Sequence, residues 1–294
     1  MSIDSTDDDS TDSRGPTVHR MMLGRLLHLL RTEAGISADQ AAEAIRGSRS
    51  KISRMENGRV GFKVRDVEDL LRLYRVAGTP IREKVTALVR QANAPGWWTR
   101  YADVTADWFG EYLGLENAAS LIRTFEMQFV NGLFQTADYA RAVTLLGHSA
   151  APPGEIDRRV ALRVRRQELL TSPEAPMVWS ILDEGALRRP VGGRRVMRRQ
   201  LDRAIELSEL RNVTVQVVPF DAGGHAGAGG SFTMLRFLAE EVPDIVYIEQ
   251  LTSALYLDRR EDVDHYLEVM GLLGTEALSP AESVRLIGKI RDEL

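Results

Sequence analysis

A chain of 294 residues, 44% hydrophobic and 27% charged, has material for two globular domains, and its lack of cysteine excludes a disulfide framework, thiol catalysis and a cysteine-ligated zinc site. The net charge of −4 hides an asymmetry: residues 1–16 sum to −4, residues 17–78 to +5 and the remainder to −5, so one basic segment sits in an otherwise acidic chain. No apolar run approaches the ~18 residues of a spanning helix and no signal-peptide pattern opens the chain, which predicts a cytoplasmic protein without membrane contact; five scattered histidines, none in an H-E-x-x-H pattern, predict neither metal nor cofactor.

Residues 1–18 begin with an acidic stretch rich in Ser, Thr and Asp that holds too few apolar side chains to offset the entropy of ordering, and they read as a disordered tail. From residue 19 to residue 78 the periodicity is that of short helices. Leu23, Leu26, Leu27 and Leu30 recur on one face before Gly35. Ser37 with Gln40 has the form of a capping box opening a second helix through Ile45. Ser48 can cap a third, stopped by Asn57-Gly58, and a fourth from Val64 to Tyr74 turns Val67, Leu70, Leu71 and Tyr74 inward. Residues 79–114 read as a connecting helix, Ile81 to Ala92, followed by an aromatic cluster of Trp98, Tyr101, Trp108, Phe109 and Tyr112. Such a cluster is either a core or hinge on which two domains pack, or a ligand pocket.

Residues 115–294 read as the larger domain. Helical periodicity is expected to continue to Leu170. Strands are then predicted at 177–182, 213–218, 231–237, 245–250 and 254–258, all rich in β-branched and aromatic residues. Helices are predicted from Arg194 to Leu210, Glu261 to Leu273 and Pro280 to Leu294. The expected fold class is α+β: an all-α N-terminal domain, then a mixed domain with one small sheet.

Residues 37–58 meet the needs of a helix-turn-helix. Ala41 and Ala42 allow close helix approach, and Ile45, Ile52 and Met55 supply a shared core. Arg49, Ser50, Lys51 and Arg54 then face outward from the third helix, where Arg bonds guanine edges and Ser or Lys reaches bases or phosphates. The Ser48-capped helix start also suits a phosphate. A merely solvated basic face is the competing reading of the same residues.

The stretches "LLHLLRTEAGIS", "ADQAAEAI" and "SRSKISRMENG" resemble the Cro/C1-type (XRE-family) helix-turn-helix domain. The resemblance implies base-edge or backbone contacts from Arg49, Ser50, Lys51 and Arg54 beside the Ser48 cap, phosphate contacts from Arg59 and Lys63, and an ion pair between Arg31 and Glu56 beneath the motif. The chain departs from that pattern at the turn, where Arg46 stands in place of the usual Gly. Further on, "FEMQFVNGLFQTADYARAV", "RRQELL", "LDEGALRRPVGG", "DAGGHAGAGGSFTMLRF" and "IVYIEQLTSALYL" resemble the DUF5753 region of actinobacterial regulators of the Scr1 type, with Asn131 and Phe134 in place of the usual Pro and Leu. The resemblance implies a transcriptional regulator with double-stranded DNA as partner and a small DUF397-type protein as a candidate second partner.

Within the larger domain no catalytic constellation emerges. The loop 221–230 lacks the Gly-Lys-Ser/Thr of a phosphate-binding loop and reads as a plain connection or a ligand-gating loop, with catalysis by His225 the weakest reading. Asp183-Glu184 has the form of a helix N-terminal pair. Glu249 is a candidate for a burial-raised pKa. Arg158, Arg159, Arg163, Arg165 and Arg166 read as a solvated face laced with ion pairs, or as a further contact to DNA or an acidic partner. The function expected from the whole is a non-enzymatic, sequence-specific DNA-binding regulator, a homodimer on an inverted repeat, with an unknown small-molecule effector. The alternative is an antitoxin-like protein that binds the DUF397-type partner and autoregulates.

Overall fold

A computed structural model describes residues 16–294, which divide into two compact units meeting between Ala94 and Pro95. The first unit is helical: α1 Pro16–Glu33, α2 Ala38–Ala44, α3 Arg49–Glu56, α4 Val64–Leu73 and α5 Thr79–Ala92. Val18, Met22, Leu23 and Leu27 of α1 are buried, as are Ile45, Ile52, Met55, Val67, Leu70 and Leu71 of the same unit. Each such Leu or Ile is worth roughly 1.5–3 kcal/mol over leaving it in water. Two expected boundaries move. Val18 is fully buried in a helix that starts at Pro16, so residues 16–18 belong to the folded unit, while the rest of the expected tail lies outside the described residues. The expected connecting helix is α5, and it closes the first unit. Val85, Leu88, Val89 and Ala92 are buried, Arg20 Nε donates to the Ala92 carbonyl at 2.8 Å, and the Asn93 side chain bonds both Phe62 N and Phe62 O.

Four successive helices stop in the same way. After α1, α2, α3 and α4 the chain enters the left-handed region at Gly35, Arg46, Gly58 and Arg75. There the paired hydrogen bonds of a Schellman motif satisfy the last carbonyls, as in Arg46 N to Glu43 O and Gly47 N to Ala42 O. At Gly58 a side chain is also excluded sterically, since a Cβ would lie 2.7 Å from Met21 Cα.

The second unit runs through a 3-10 helix, Trp97–Val104, then α6 Asp107–Ala118, β1 Leu121–Glu126, α7 Ala137–Gly147, α8 Pro153–Arg166, β2 Met177–Asp183, α9 Glu184–Arg188, α10 Arg194–Ser208, β3 Val213–Val218, β4 Phe232–Arg236, β5 Ile245–Glu249, β6 Ala254–Leu257, α11 Arg260–Glu276 and α12 Pro280–Glu293. Among the described residues the strands form one mixed sheet in the order β3-β2-β1-β4-β5-β6. β1, β2 and β3 are parallel, and β4, β5 and β6 are each antiparallel to a neighbour. The N-terminal helical domain followed by this unit is an α+β architecture.

The central strand, β1, was expected to be helical. "LIRTFE" is short and carries two charges, so its sequence has no period-2 apolar signal. Its conformation comes from being hydrogen-bonded to β2 on one side and β4 on the other. Phe125, Ile181, Phe232, Met234 and Val246 face α11 with Val263, Met270 and Leu273. The opposite face holds Thr124, bonded to Ser180 at 3.0 Å, and Tyr247, stacked on Tyr112 of α6 with centroids 4.2 Å apart. The aromatic cluster therefore packs inside the second unit. Trp98 and Leu113 are buried with Leu162, ringed by Trp97, Tyr101 and Phe109.

Candidate nucleic-acid interface

Local sequence builds the helix-turn-helix in three steps. Ser37 and Gln40 close the capping box of α2, with each side chain taking the other's backbone N–H. Arg46 turns the chain in a left-handed conformation, φ 52°, where Gly is the usual occupant. Ser48 Oγ then accepts from Lys51 N and starts α3. Ala41, Ala42, Ile52 and Met55 are buried between the helices, which fixes α3 against its predecessor.

What α3 leaves outside is cationic. Arg49, Ser50 and Arg54 are exposed, as are Ser48 at the cap and Arg59 and Lys63 beyond the turn, and no ion pair engages Arg49, Arg54, Arg59 or Lys63 among the described residues. Lys51 differs. It is half-buried and its Nζ donates to Asp66 Oδ2 at 2.5 Å, so much of its charge is already neutralised by α4. Asp66 is the residue of this surface that sequence reasoning missed, because a partner fifteen positions away leaves no local pattern.

Beneath the motif Arg31 and Glu56 meet as the resemblance implied. Nε and Nη2 of Arg31 donate to the two carboxylate oxygens of Glu56 at 2.6 and 3.0 Å, and Nη1 donates to the Ile36 carbonyl. His28 Nδ1 lies 2.8 Å from the same carboxylate. Burial works to raise the Glu56 pKa, but the hydrogen bonds from Arg31 and His28 outweigh it and hold the carboxyl below its ordinary range. Gly24 lets this seam close: a Cβ there would sit 2.5 Å from the Met55 carbonyl oxygen.

The helix-turn-helix domain family matches residues 22–83, which contain this arrangement, and the DUF5753 family, described as a domain of unknown function, matches residues 109–289, more than half of the chain. The chain belongs to the DUF5753 family. Its first unit is a DNA-binding helix-turn-helix domain. No curated protein and no solved structure matches the chain. No helix among the described residues is long and apolar enough to cross a membrane.

The remaining candidates of this DUF5753 chain have structural duties. Asp183 caps α9 through Gly185 N, and Glu184 bonds Arg188 and Phe220 N. His225 accepts from Gly227 N at Nδ1 while Nε2 sits 3.4 Å from Asp183, which pins the loop 221–230 to the end of β2. In the α8 cluster Arg158 pairs with Asp103, Arg159 with Glu155 and Arg165 with Glu168 on an ion-paired outer face, whereas Arg166 departs from the expected solvated face: it is buried with its partner Glu116. Arg163 has no carboxylate partner among the described residues. It donates Nη1 to Gln135, and desolvation together with neighbouring Arg166 lowers its pKa to about 10. Glu249 is exposed, contrary to the expectation of burial, because it ends β5 at the sheet margin. The carboxyl that is pushed up is Glu126, to about 7, by desolvation; bonds from Asn131 and Ser231 only partly offset it. Sequence reasoning missed Glu126 together with its strand.

Proposed function

We propose that the chain is a cytoplasmic, sequence-specific transcriptional regulator of the Cro/C1 (XRE) type that inserts the start of α3 into the major groove of double-stranded DNA. The observation that carries this is the exposure of Arg49, Ser50 and Arg54 on one capped, rigidly seated helix. Arg49 and Arg54 read base edges; Ser48, Arg59 and Lys63 hold phosphates; Lys51, tied to Asp66, orients α3 and adds field rather than specificity. One such helix covers few base pairs, so the working form is a homodimer on an inverted repeat with half-sites about 34 Å apart. The protein acts by binding rather than catalysis, consistent with the structural duties of Asp183, Glu184 and His225.

The test is footprinting and gel shift on the DNA upstream of its own coding sequence. Arg49→Ala and Arg54→Ala should each weaken specific binding by about 1–3 kcal/mol, and Lys51→Ala by less. Unchanged specific affinity in both Arg variants, with helicity intact, refutes the assignment. A monomer on a lone half-site refutes the dimer.

A second reading, in which a small DUF397-type protein docks on the larger unit and controls DNA binding, is favoured by the open margin of the sheet. The β3 margin is closed by Ser283 Oγ and Leu278 N bonding Val217, while Leu255 within β6 and Leu251 just before it are exposed. Co-purification with that neighbour and a change in gel shift on mixing test it.

A further inference from the structure

On the sheet face turned away from α11, three side chains stand in one row at the carboxyl-terminal margin of β1. Continuing the registers Phe125↔Phe232 and Thr233↔Tyr247 places Glu126, Ser231 and Glu249 side by side on adjacent strands. Ordinary strand spacing sets the two carboxylate-bearing Cα atoms about 10 Å apart, a span their side chains can close on one small group. This margin lies at the carboxyl end of β1, beside the point between β1 and β4 where the strand order reverses, the kind of position at which open sheets bind ligands.

α8 brings cations to the same region. Arg163 and Arg166 are three residues apart and share a helix face. Arg166 is committed to Glu116: Nε and Nη2 hold that carboxylate at 2.8 and 2.7 Å, and the guanidinium lies over the rings of Phe109 and Tyr112. Arg163 is half-buried and gives only Nη1, to Gln135 Oε1 at 2.9 Å. Glu126 is also half-buried and takes only neutral donors, Asn131 Nδ2 at 3.0 Å and Ser231; Glu249 takes the Tyr247 hydroxyl at 3.1 Å. Glu249 lies close enough to act electrostatically on both Glu126 and Arg163.

Unpaired charge under partial burial is costly, and flexible Arg and Glu side chains normally relieve it by closing on each other. Here each side chain is tied to a neutral amide instead. Asn131 is locked by its own cap, Oδ1 accepting from Leu133 N, and Gln135 is locked by donating Nε2 to the Val130 carbonyl. Both residues are buried, so Glu126 and Arg163 are each anchored to a fixed amide, as a preorganised binding site requires.

We propose that this margin binds a small zwitterion of the amino-acid class, its carboxylate paired with Arg163 and its ammonium received between Glu126 and Glu249. The site deepens the regulator reading by naming the class of effector, and it rests on that reading only for its consequence on DNA. Binding itself is measured without DNA, so the two claims fail separately.

The experiment is thermal melting and calorimetric titration of the full chain with each of the proteinogenic L-amino acids, alongside acetate and methylammonium as half-ligands. At a concentration roughly 100-fold above Kd, one or more amino acids should raise Tm by about 5–10 °C. The half-ligands should not, and both Arg163→Met and Glu249→Gln should abolish the shift. Glu249 is exposed, so Glu249→Gln keeps the test sound if Arg163→Met folds poorly. Absence of a shift with every amino acid overturns the proposal, as does a shift that survives Glu249→Gln or one that acetate reproduces.

Discussion

Glu126 ends the central strand half-buried, and desolvation lifts its pKa from 4.5 to about 7. The folded chain therefore holds this proton more tightly than the unfolded chain does. Stability conferred by the protonated carboxyl is complete below pH 4.5 and is lost as pH rises through 7, a change on the order of 3 kcal/mol. Glu126→Gln preserves an acceptor for Asn131 but cannot ionise. Urea unfolding at pH 5 and pH 8 should give a smaller loss of stability in Glu126→Gln than in the parent. An equal loss would place the titration elsewhere. Glu56 is the opposite case: its hydrogen bonds favour the ionised form, so its contribution is present at neutral pH and fades on acidification.

At the scale of elements, helix ends decide the first unit. Two of its four Schellman stops use Gly and two use Arg, with Arg46 at φ 52° and Arg75 at φ 55°. A side chain in this region costs about 1–2 kcal/mol, and the greater freedom of Gly in the unfolded chain takes back roughly half of that. Arg46→Gly should accordingly stabilise the protein by about 0.5–1 kcal/mol in denaturant unfolding at unchanged m-value, and a loss of stability would show that Arg46 makes contacts worth more than its strain. The Ser37 and Ser48 caps, the periodic apolar faces and the Asn57-Gly58 stop were legible because each involves residues within one helical turn. β1 was not legible, since nothing inside "LIRTFE" marks a strand, and Glu126 was lost with it. The Lys51–Asp66 bond was hidden for a related reason: α4 had to be folded back on α3 before the two could meet.

At the scale of the molecule, each unit carries its own buried side chains, the second having one cluster around Trp98, Leu113 and Leu162 and another between the sheet and α11. A fragment of residues 95–294 should fold by itself and melt cooperatively, checked by circular dichroism and calorimetry; a fragment that stays unfolded would make the units interdependent. Sequence by itself determined the helix-turn-helix, its outward cations, the five β-branched strands and the ion pair carried over by resemblance. In each case the information is short-range periodicity, capping chemistry or a motif of fixed spacing. Tertiary structure alone decided that α5 belongs to the first unit, that Lys51 is held by Asp66, and that Glu126 and Glu249 share one face of the sheet. Those facts depend on strand pairing and helix docking between segments tens of residues apart, which no local pattern encodes.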